Sequence, residues 1–207
     1  KGKPNYWVPN LNLKPENNIT REIGAGIQLD GLLTGNDRLQ LKGGYFGTDA
    51  RNYIATRVDM KRMRSYSYNV SRARIWGWDM QGNYQSDYFD WMLSYNRTES
   101  MDASSREWLG SGNPDTLISD ISIPVGHGGV SAGWRAELSA AATHVKKGDP
   151  HQAGYAVHSF SLSYKPVSVK GFEASVTLDN AFNKLAMNGK GVPLSGRTVS
   201  LYTRYQW

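Results

Sequence analysis

The sequence predicts an all-β chain, a segment of an antiparallel transmembrane β-barrel. Three observations carry this. The first is the final stretch, in which Val199, Leu201, Thr203, Tyr205 and Trp207 alternate with Thr198, Ser200, Tyr202, Arg204 and Gln206. A two-residue period is a strand with one apolar and one polar face. This strand is expected to run to the last residue, where a soluble domain usually has a frayed polar tail. In a closed barrel such a strand pairs with the first one, and Tyr205 and Trp207 serve closure at the interfacial aromatic girdle. The second observation is the recurrence of alternating segments of about ten residues, joined in turn by short turns and long loops. The third is composition: 22 Gly, 12% aromatic residues and seven Trp, with no long uninterrupted apolar window. That excludes a membrane-spanning helix. A mean hydropathy of −0.55 does not argue against a barrel, because every second residue of its strands faces the lumen.

Taken in order, segment 19–30 places Ile23, Ala25, Ile27 and Leu29 on one face and Glu22, Gly24, Gly26 and Gln28 on the other. After a turn over Leu33–Asp37, Leu39, Leu41 and Tyr45 oppose Arg38, Gln40 and Lys42. A polar loop is expected over residues 50–64, then a strand from Tyr66 to Gln85 that turns at Ser86-Asp87. Phe89, Trp91, Leu93 and Tyr95 mark the next strand, and a Ser-, Gly- and Pro-rich loop is expected over 102–125. Residues 127–147 read as two strands with a poorly marked turn near Glu137, followed by a loop at 148–154. Phe160, Leu162 and Tyr164 define one strand, and Ala174, Val176 and Leu178 define another. A loop over 185–196 leads into the terminal strand. The count is about nine strands, with Trp207 at the periplasmic rim and the long loops and residues 1–18 outside the cell. Bacterial single-chain barrels have even strand numbers, so the expectation is a part of a larger barrel.

The chain contains no cysteine, which removes disulfide frameworks, thiol catalysis and zinc knuckles. A formal charge of +6 permits anionic partners. From a start without Met or a signal peptide, a mature or trimmed product is expected.

Residues Pro9-Asn10-Leu11-Asn12-Leu13-Lys14-Pro15-Glu16 resemble the Asn-Pro-Asn-Leu-Lys-Pro-Glu box of TonB-dependent outer-membrane receptors. Val8 stands in place of the usual Asn, and Asn12-Leu13 is a small insertion. Three further segments match the family in its order: Tyr68-Asn69-Val70 with Ala73-Arg74-Ile75-Trp76-Gly77, Leu178-Asp179-Asn180-Ala181-Phe182-Asn183-Lys184, and Gly196-Arg197-Thr198-Val199, where Ser195 replaces Pro. The resemblance covers essentially residues 1–207 as the C-terminal portion of the receptor. It implies a barrel of about 22 strands with a plugged lumen, the plug domain lying outside this chain. It further implies an outer-membrane multi-pass protein that is not an enzyme, importing an iron-bearing ligand with energy from the TonB complex through that plug. The Pro-Asn-Leu box points to haem receptors, nearest to those taking haem from a haemophore or other haem protein. Haem would be the transported ligand, its axial histidine upstream of Lys1, with none bound by this chain alone. A siderophore receptor is the alternative within the family, and a passive porin or translocator barrel the alternative outside it.

Asn10, Leu11, Lys14, Pro15 and Glu16 form the family loop motif. Trp7, Tyr53, Ile54, Arg57, Trp108 and His151 are the candidate ligand or partner contacts, chosen because they fall in expected extracellular loops. Exposed aromatics suit protein interfaces, and Arg pairs well with carboxylates such as haem propionates. The plainer reading assigns the aromatics to the upper girdle and Arg51, Arg57, Lys61 and Arg62 to solvent or lipopolysaccharide phosphates. Arg72 and Arg74 are expected to line the lumen. His127 is expected to open a strand, and His144 and His158 to lie within strands as lumen or interface residues. No histidine pair has metal-ligand spacing. Ser104, Ser105 and Asp115 have no partner histidine at recognisable spacing, and no Gly-x-Ser-x-Gly turn occurs. Nucleic-acid binding would need aromatics on the same face as the basic residues, whereas Arg204 lies opposite Tyr205 and Trp207.

Overall fold

The structure is a computed structural model and describes residues 6–59, 61–110, 114–188 and 192–207. The parts of the expected N-terminal stretch and loops at 1–5, 60, 111–113 and 189–191 lie outside the described residues. Ten strands form one sheet: β1 (Tyr6–Val8), β2 (Asn17–Asp30), β3 (Arg38–Asp59), β4 (Arg64–Gln85), β5 (Asp90–Asp102), β6 (Thr116–Val125), β7 (Val130–Ser139), β8 (Tyr155–Tyr164), β9 (Phe172–Asp179) and β10 (Thr198–Tyr205). Strands β2 to β10 make an antiparallel meander in chain order, and the short β1 adds in parallel to β4. Among the described residues the sheet does not close, and β2 and β10 are its two edges. Among the described residues no helix is long and apolar enough to cross a membrane, which says nothing about a barrel.

Register sorts the residues onto two faces. One carries the rows Leu29↔Leu39↔Tyr84↔Trp91↔Ile121↔Trp134↔Phe160↔Leu178↔Val199. The other carries Asp30↔Arg38↔Gln85↔Asp90↔Ser122↔Gly133↔Ser161↔Thr177↔Ser200. An apolar face that remains exposed along a whole sheet is the lipid-facing surface of a barrel, and the polar row faces the lumen. The segment's conventional core is correspondingly small: Ala50, Ala55, Val70, Ala73 and Leu109, with Tyr53 packed against them.

The expected alternation of β2, β5 and β8 to β10 is found, but three loop boundaries are corrected. Residues 50–64 are mostly strand, because β3 and β4 stay paired out to Asp59↔Arg64. Beyond the membrane both faces of a hairpin meet water, so the two-residue hydropathy signal vanishes while the ladder persists. Residues 102–125 end in strand β6, whose Ile118 faces the polar side opposite Glu137 and so blurs the alternation. Residues 127–147 hold one strand, β7, in which Glu137 is mid-strand between Ile118 and Val157. His127 consequently lies in the turn at 126–129, and His144 in the loop at 140–154. His158 lies in β8, as expected. The last strand stops at Tyr205, and Gln206 N–H then donates to Gly171 O at 3.0 Å.

Connections at one end of the meander are short, at 31–37, 86–89, 126–129 and 165–171. The other end carries the projecting β3–β4 hairpin and the loops at 103–115, 140–154 and 180–197. Short turns are periplasmic and long loops extracellular in barrels of this kind, so Trp207 falls at the periplasmic end.

One periplasmic turn is built around a single carboxylate. Asp37 accepts the N–H groups of Leu32 (2.6 Å), Leu33 (2.7 Å) and Thr34 (2.9 Å) and the Tyr84 hydroxyl (2.9 Å). Removal from water pushes its carboxyl upward, but these four donors outweigh that and hold it below the usual carboxylate range. Its contribution is therefore complete above the unfolded pKa of about 3.9 and is lost as pH falls through the lower folded value. Hydrogen exchange, corrected for intrinsic rates, should show the Leu32–Thr34 amides losing protection below about pH 4. In D37N their protection should be low at every pH; a variant with the wild-type profile would remove this role.

Candidate functional site

The extracellular end is organised by the long β3–β4 hairpin and the strap over residues 6–16. Two 22-residue strands project the hairpin well beyond the apolar band. At Asn52, φ is 53° and the pairing lapses between Arg51↔Arg72 and Tyr53↔Val70. Asn tolerates this left-handed conformation better than most residues, and it is held there by neighbours.

The strap begins as β1 alongside Arg64–Tyr66 of β4 and ends at β2 against Arg51 of β3, so it crosses the hairpin from one edge to the other. Asn10 Nδ2 donates to Ser67 O at 2.9 Å. Asn69 Oδ1 accepts Lys14 N–H at 2.8 Å, while its amide donates to Lys14 O at 3.0 Å and to Asn52 O at 2.6 Å. Glu16 Oε2 accepts Ile54 N–H at 2.8 Å, on the edge of β3 that β2 has already left. Of the box residues, Asn10, Lys14 and Glu16 are thus committed to holding the hairpin, Pro15 offers its carbonyl to Asn52, and Leu11 stands 96% exposed. Asn69 is the hub that sequence reasoning missed. Its signal was present in the segment Tyr68-Asn69-Val70, but a polar residue in a strand does not announce a partner 55 positions away.

The candidate contacts divide into three groups. Trp7, Ile54 and Arg57 are exposed on the strapped hairpin, with Trp7 at 59%. Tyr53 lies on the same hairpin but packs into the small core, where burial and the Glu16 carboxylate push its phenol pKa upward. Trp108 is engaged within the loops: its indole stacks on the His144 ring at 4.0 Å and contacts Trp76 at 6.0 Å. His151 is exposed in the loop at 140–154, separate from the hairpin group. Tyr205 and Trp207 lie at the opposite end of the barrel with ring centroids 6.5 Å apart.

Two loops clamp onto the outer wall. His144 Nδ1 lies 2.8 Å from Glu99 Oε1, and Arg97 bridges Glu99 at 3.1 Å and Asp115 at 3.6 Å. Lys146 Nζ donates to Thr56 O at 2.7 Å, tying the loop at 140–154 to the hairpin. A cleft of about 430 Å³ remains between these loops. Among the described residues no three acidic or histidine side chains converge as a metal site.

The arrangement is an open barrel wall with a braced, aromatic-bearing extracellular rim. The family model described as "TonB dependent receptor-like, beta-barrel" matches residues 2–183. The chain belongs to this family. A "Hemin receptor" of Yersinia pestis is 44% identical across 98% of this chain and 30% of that protein. Another from Yersinia enterocolitica is 41% identical across 98% of this chain and 31% of its own length. The receptor segment therefore spans under a third of these curated relatives. Among solved structures, the copper transporter OprC superposes with a TM-score of 0.77 at 21% identity, over 98% of this chain and 34% of its own. A double mutant of the Serratia marcescens hemophore receptor HasR, in complex with its hemophore HasA and heme, gives 0.71 at 21% identity over 97% and 33%. These two establish the fold alone. The receptor segment is an outer-membrane β-barrel segment, as its lipid-facing rows require.

Register also corrects an expectation about this receptor. Arg72 and Arg74 do not line the lumen; they pair with Arg51 and Asp49 on the face that carries Trp76 and Trp78.

Proposed function

We propose that this chain is the C-terminal portion of a receptor that binds haem, delivered by a haem-carrying protein, for TonB-energised import. The observation that carries the reading is the 44% identity across 98% of the chain to a protein named as a hemin receptor. The match spans 98% of the chain, so the extracellular loops on which receptors of one fold differ fall within it as well as the strands. The transported ligand is haem, whose axial histidine lies on the part of the receptor outside this segment. The plug, likewise outside it, contacts the TonB complex.

Within this segment the exposed Trp7, Ile54 and Arg57 offer the partner protein an aromatic and basic surface on a hairpin that reaches outward. Tyr53 supports that surface from beneath. Trp108 and His151 belong to neighbouring loops and make the rim of the approach. Aromatic and Arg side chains carry much of the energy at protein interfaces. The box residues act by bracing: Asn10, Lys14 and Glu16 keep the hairpin at a fixed angle.

The full-length receptor tests this. Titration with haem should build a saturable visible absorbance band, and a strain relying on the receptor should grow on a haem protein as iron source. Growth on ferric siderophores with no response to haem would replace haem by a siderophore. The variant W7A/R57A should weaken partner binding about tenfold or more while free haem still binds.

A further inference from the structure

Above the upper aromatic girdle the outer face of the barrel carries an arginine cluster that the import function does not use. Arg21 on β2 and Arg72 and Arg74 on β4 converge on Asp49 of β3, at 3.4, 3.5 and 3.9 Å. Arg51 occupies the next outward position, cross-strand from Arg72. The three guanidinium side chains remain 73%, 62% and 69% exposed, and the carboxylate they share is 36% exposed. Ion pairs this long and this open contribute little to stability. Four arginines against one carboxylate also leave three formal positive charges in excess.

Their level on the wall is defined by register. On this face the rows Leu39↔Tyr84, Leu41↔Gly82, Gly43↔Met80 and Tyr45↔Trp78 climb to Gly47↔Trp76, and Asp49↔Arg74 follows directly. From Leu39 to Asp49 the strand covers about 34 Å at ~3.4 Å per residue, which at a strand tilt of about 40° is about 26 Å of height, the ~25 Å of a lipid-facing band. Tyr45 and Trp78, 4.7 Å apart, therefore mark the interface, and the arginines begin at the height of the lipid headgroups.

The cluster also borders a shallow depression of about 490 Å³ whose wall includes Ile23, Tyr45 and Trp76 and whose upper rim includes Arg21, Asp49 and Arg74. An apolar and aromatic floor continuous with the hydrocarbon surface, beneath a basic rim, matches one class of ligand: an amphiphile with a phosphate head. Another strand added at the β2 edge would extend the sheet sideways and leave this face open.

We propose that Arg21, Arg72 and Arg74, with Arg51 beside them, bind a phosphate group of an outer-leaflet glycolipid, whose acyl chain lies against Ile23, Tyr45 and Trp76. Asp49 holds the guanidinium groups together so that their remaining N–H donors point at the phosphate. Guanidinium groups match phosphate oxygens in paired, charge-assisted hydrogen bonds. The partner protein, by contrast, approaches from beyond the hairpin tip, above this level.

The test uses the full-length receptor in detergent, titrated with bisphosphorylated lipid A and read by native mass spectrometry. R72Q/R74Q should retain about tenfold less lipid than wild type, and R21Q, R72Q and R74Q singly should each retain an intermediate amount. The charge-matched control R62Q/R64Q, at the hairpin tip, should bind as wild type does. Phosphate-free lipid A should bind wild type no better than the intact lipid binds R72Q/R74Q. Equal retention by wild type and R72Q/R74Q, or equal binding of the phosphate-free lipid, overturns the proposal. So does displacement of the lipid by equimolar inorganic phosphate, which would mark a simple anion site. Loss of haem-protein binding in R72Q/R74Q with lipid retention intact would make the cluster a partner contact and overturn it too. The single variants keep the test decisive if the double variant fails to assemble.

Discussion

Replacing Gly77 by valine should abolish the folded receptor barrel. Gly77 lies on the lumen face of β4, between Phe46 of β3 and Thr98 of β5. A Cβ built there runs into the Arg97 carbonyl oxygen, and it meets the Phe46 ring at 2.6 Å and 2.7 Å. The ring can rotate away, but the carbonyl belongs to the β4–β5 ladder and can move only by opening it. Overpacking of a sound interior typically costs about 1–3 kcal/mol and occasionally more. Here the obstruction is backbone at the middle of the sheet, and valine adds two further carbons to it. Alanine should lower the yield of folded barrel, and valine should remove it. The measurement is heat-modifiability on gels: the fast-migrating folded species of the full-length receptor should be reduced in G77A and missing in G77V. F46A/G77A should recover part of the loss, since it relieves the ring contact and leaves the carbonyl contact. Gly35 supplies the control, because a Cβ at that turn meets nothing within 4 Å. A G77V receptor that folds and melts like wild type would refute the argument.

Such a residue was invisible as sequence: Gly77 was one letter of a matching segment, and only register shows what a side chain would strike. What was legible is the part of each strand inside the membrane. Ile23, Ala25, Ile27 and Leu29 alternate because hydrocarbon lies on one side and a polar lumen on the other. Where β3 and β4 leave the bilayer that contrast ends, and the pattern over 50–64 reads as loop although the ladder continues to Asp59↔Arg64. The placement of Arg72 and Arg74 failed for a related reason. Their parity with Trp76 and Trp78 was available in the sequence, and it puts all four on one face. Treating a polar side chain as a lumen side chain overlooked that the outer face also becomes polar where the bilayer stops. For His144 no local pattern could have helped, since its partners Glu99 and Trp108 come from other segments. The family box was found by resemblance, and the structure gives its Asn10, Lys14 and Glu16 a bracing role that lay outside the residues' own spacing.

The second large effect is expected at Asn180, where β9 leaves the barrel for the loop at 180–197. Asn180 adopts φ 45° and is 4% exposed. Its side-chain amide donates to Lys184 O at 3.0 Å and to Ser195 O at 2.9 Å, and Oδ1 accepts Lys184 N–H at 2.7 Å. Its own N–H donates to Ser159 Oγ of β8 at 3.3 Å. One side chain thereby joins the beginning and the end of the loop next to the neighbouring strand. N180A strips partners from buried groups, each costing about 1–3 kcal/mol, and loses the local side-chain hydrogen bonds that let Asn adopt left-handed backbone more readily than alanine does. The combined loss, on the order of 3–5 kcal/mol given that some groups find water, falls on the loop, because strand pairing on either side is untouched. Local opening should therefore rise by at least about a hundredfold. Trypsin cleavage at Lys184 or Arg197 should accelerate by that factor, while the temperature at which the barrel loses its folded gel mobility moves little. N180G separates the two causes: glycine accepts the backbone conformation, so it should be cleaved more slowly than N180A by up to about tenfold. N180D is the sharper variant. It keeps one acceptor for Lys184 N–H but turns a carboxylate oxygen toward the Lys184 and Ser195 carbonyls, two acceptors that need a donor. Its loop should be as labile as that of N180A at neutral pH, and should regain resistance when the carboxyl is protonated and can donate once. Wild-type cleavage rates in N180D would mean that the loop is held by something other than this amide.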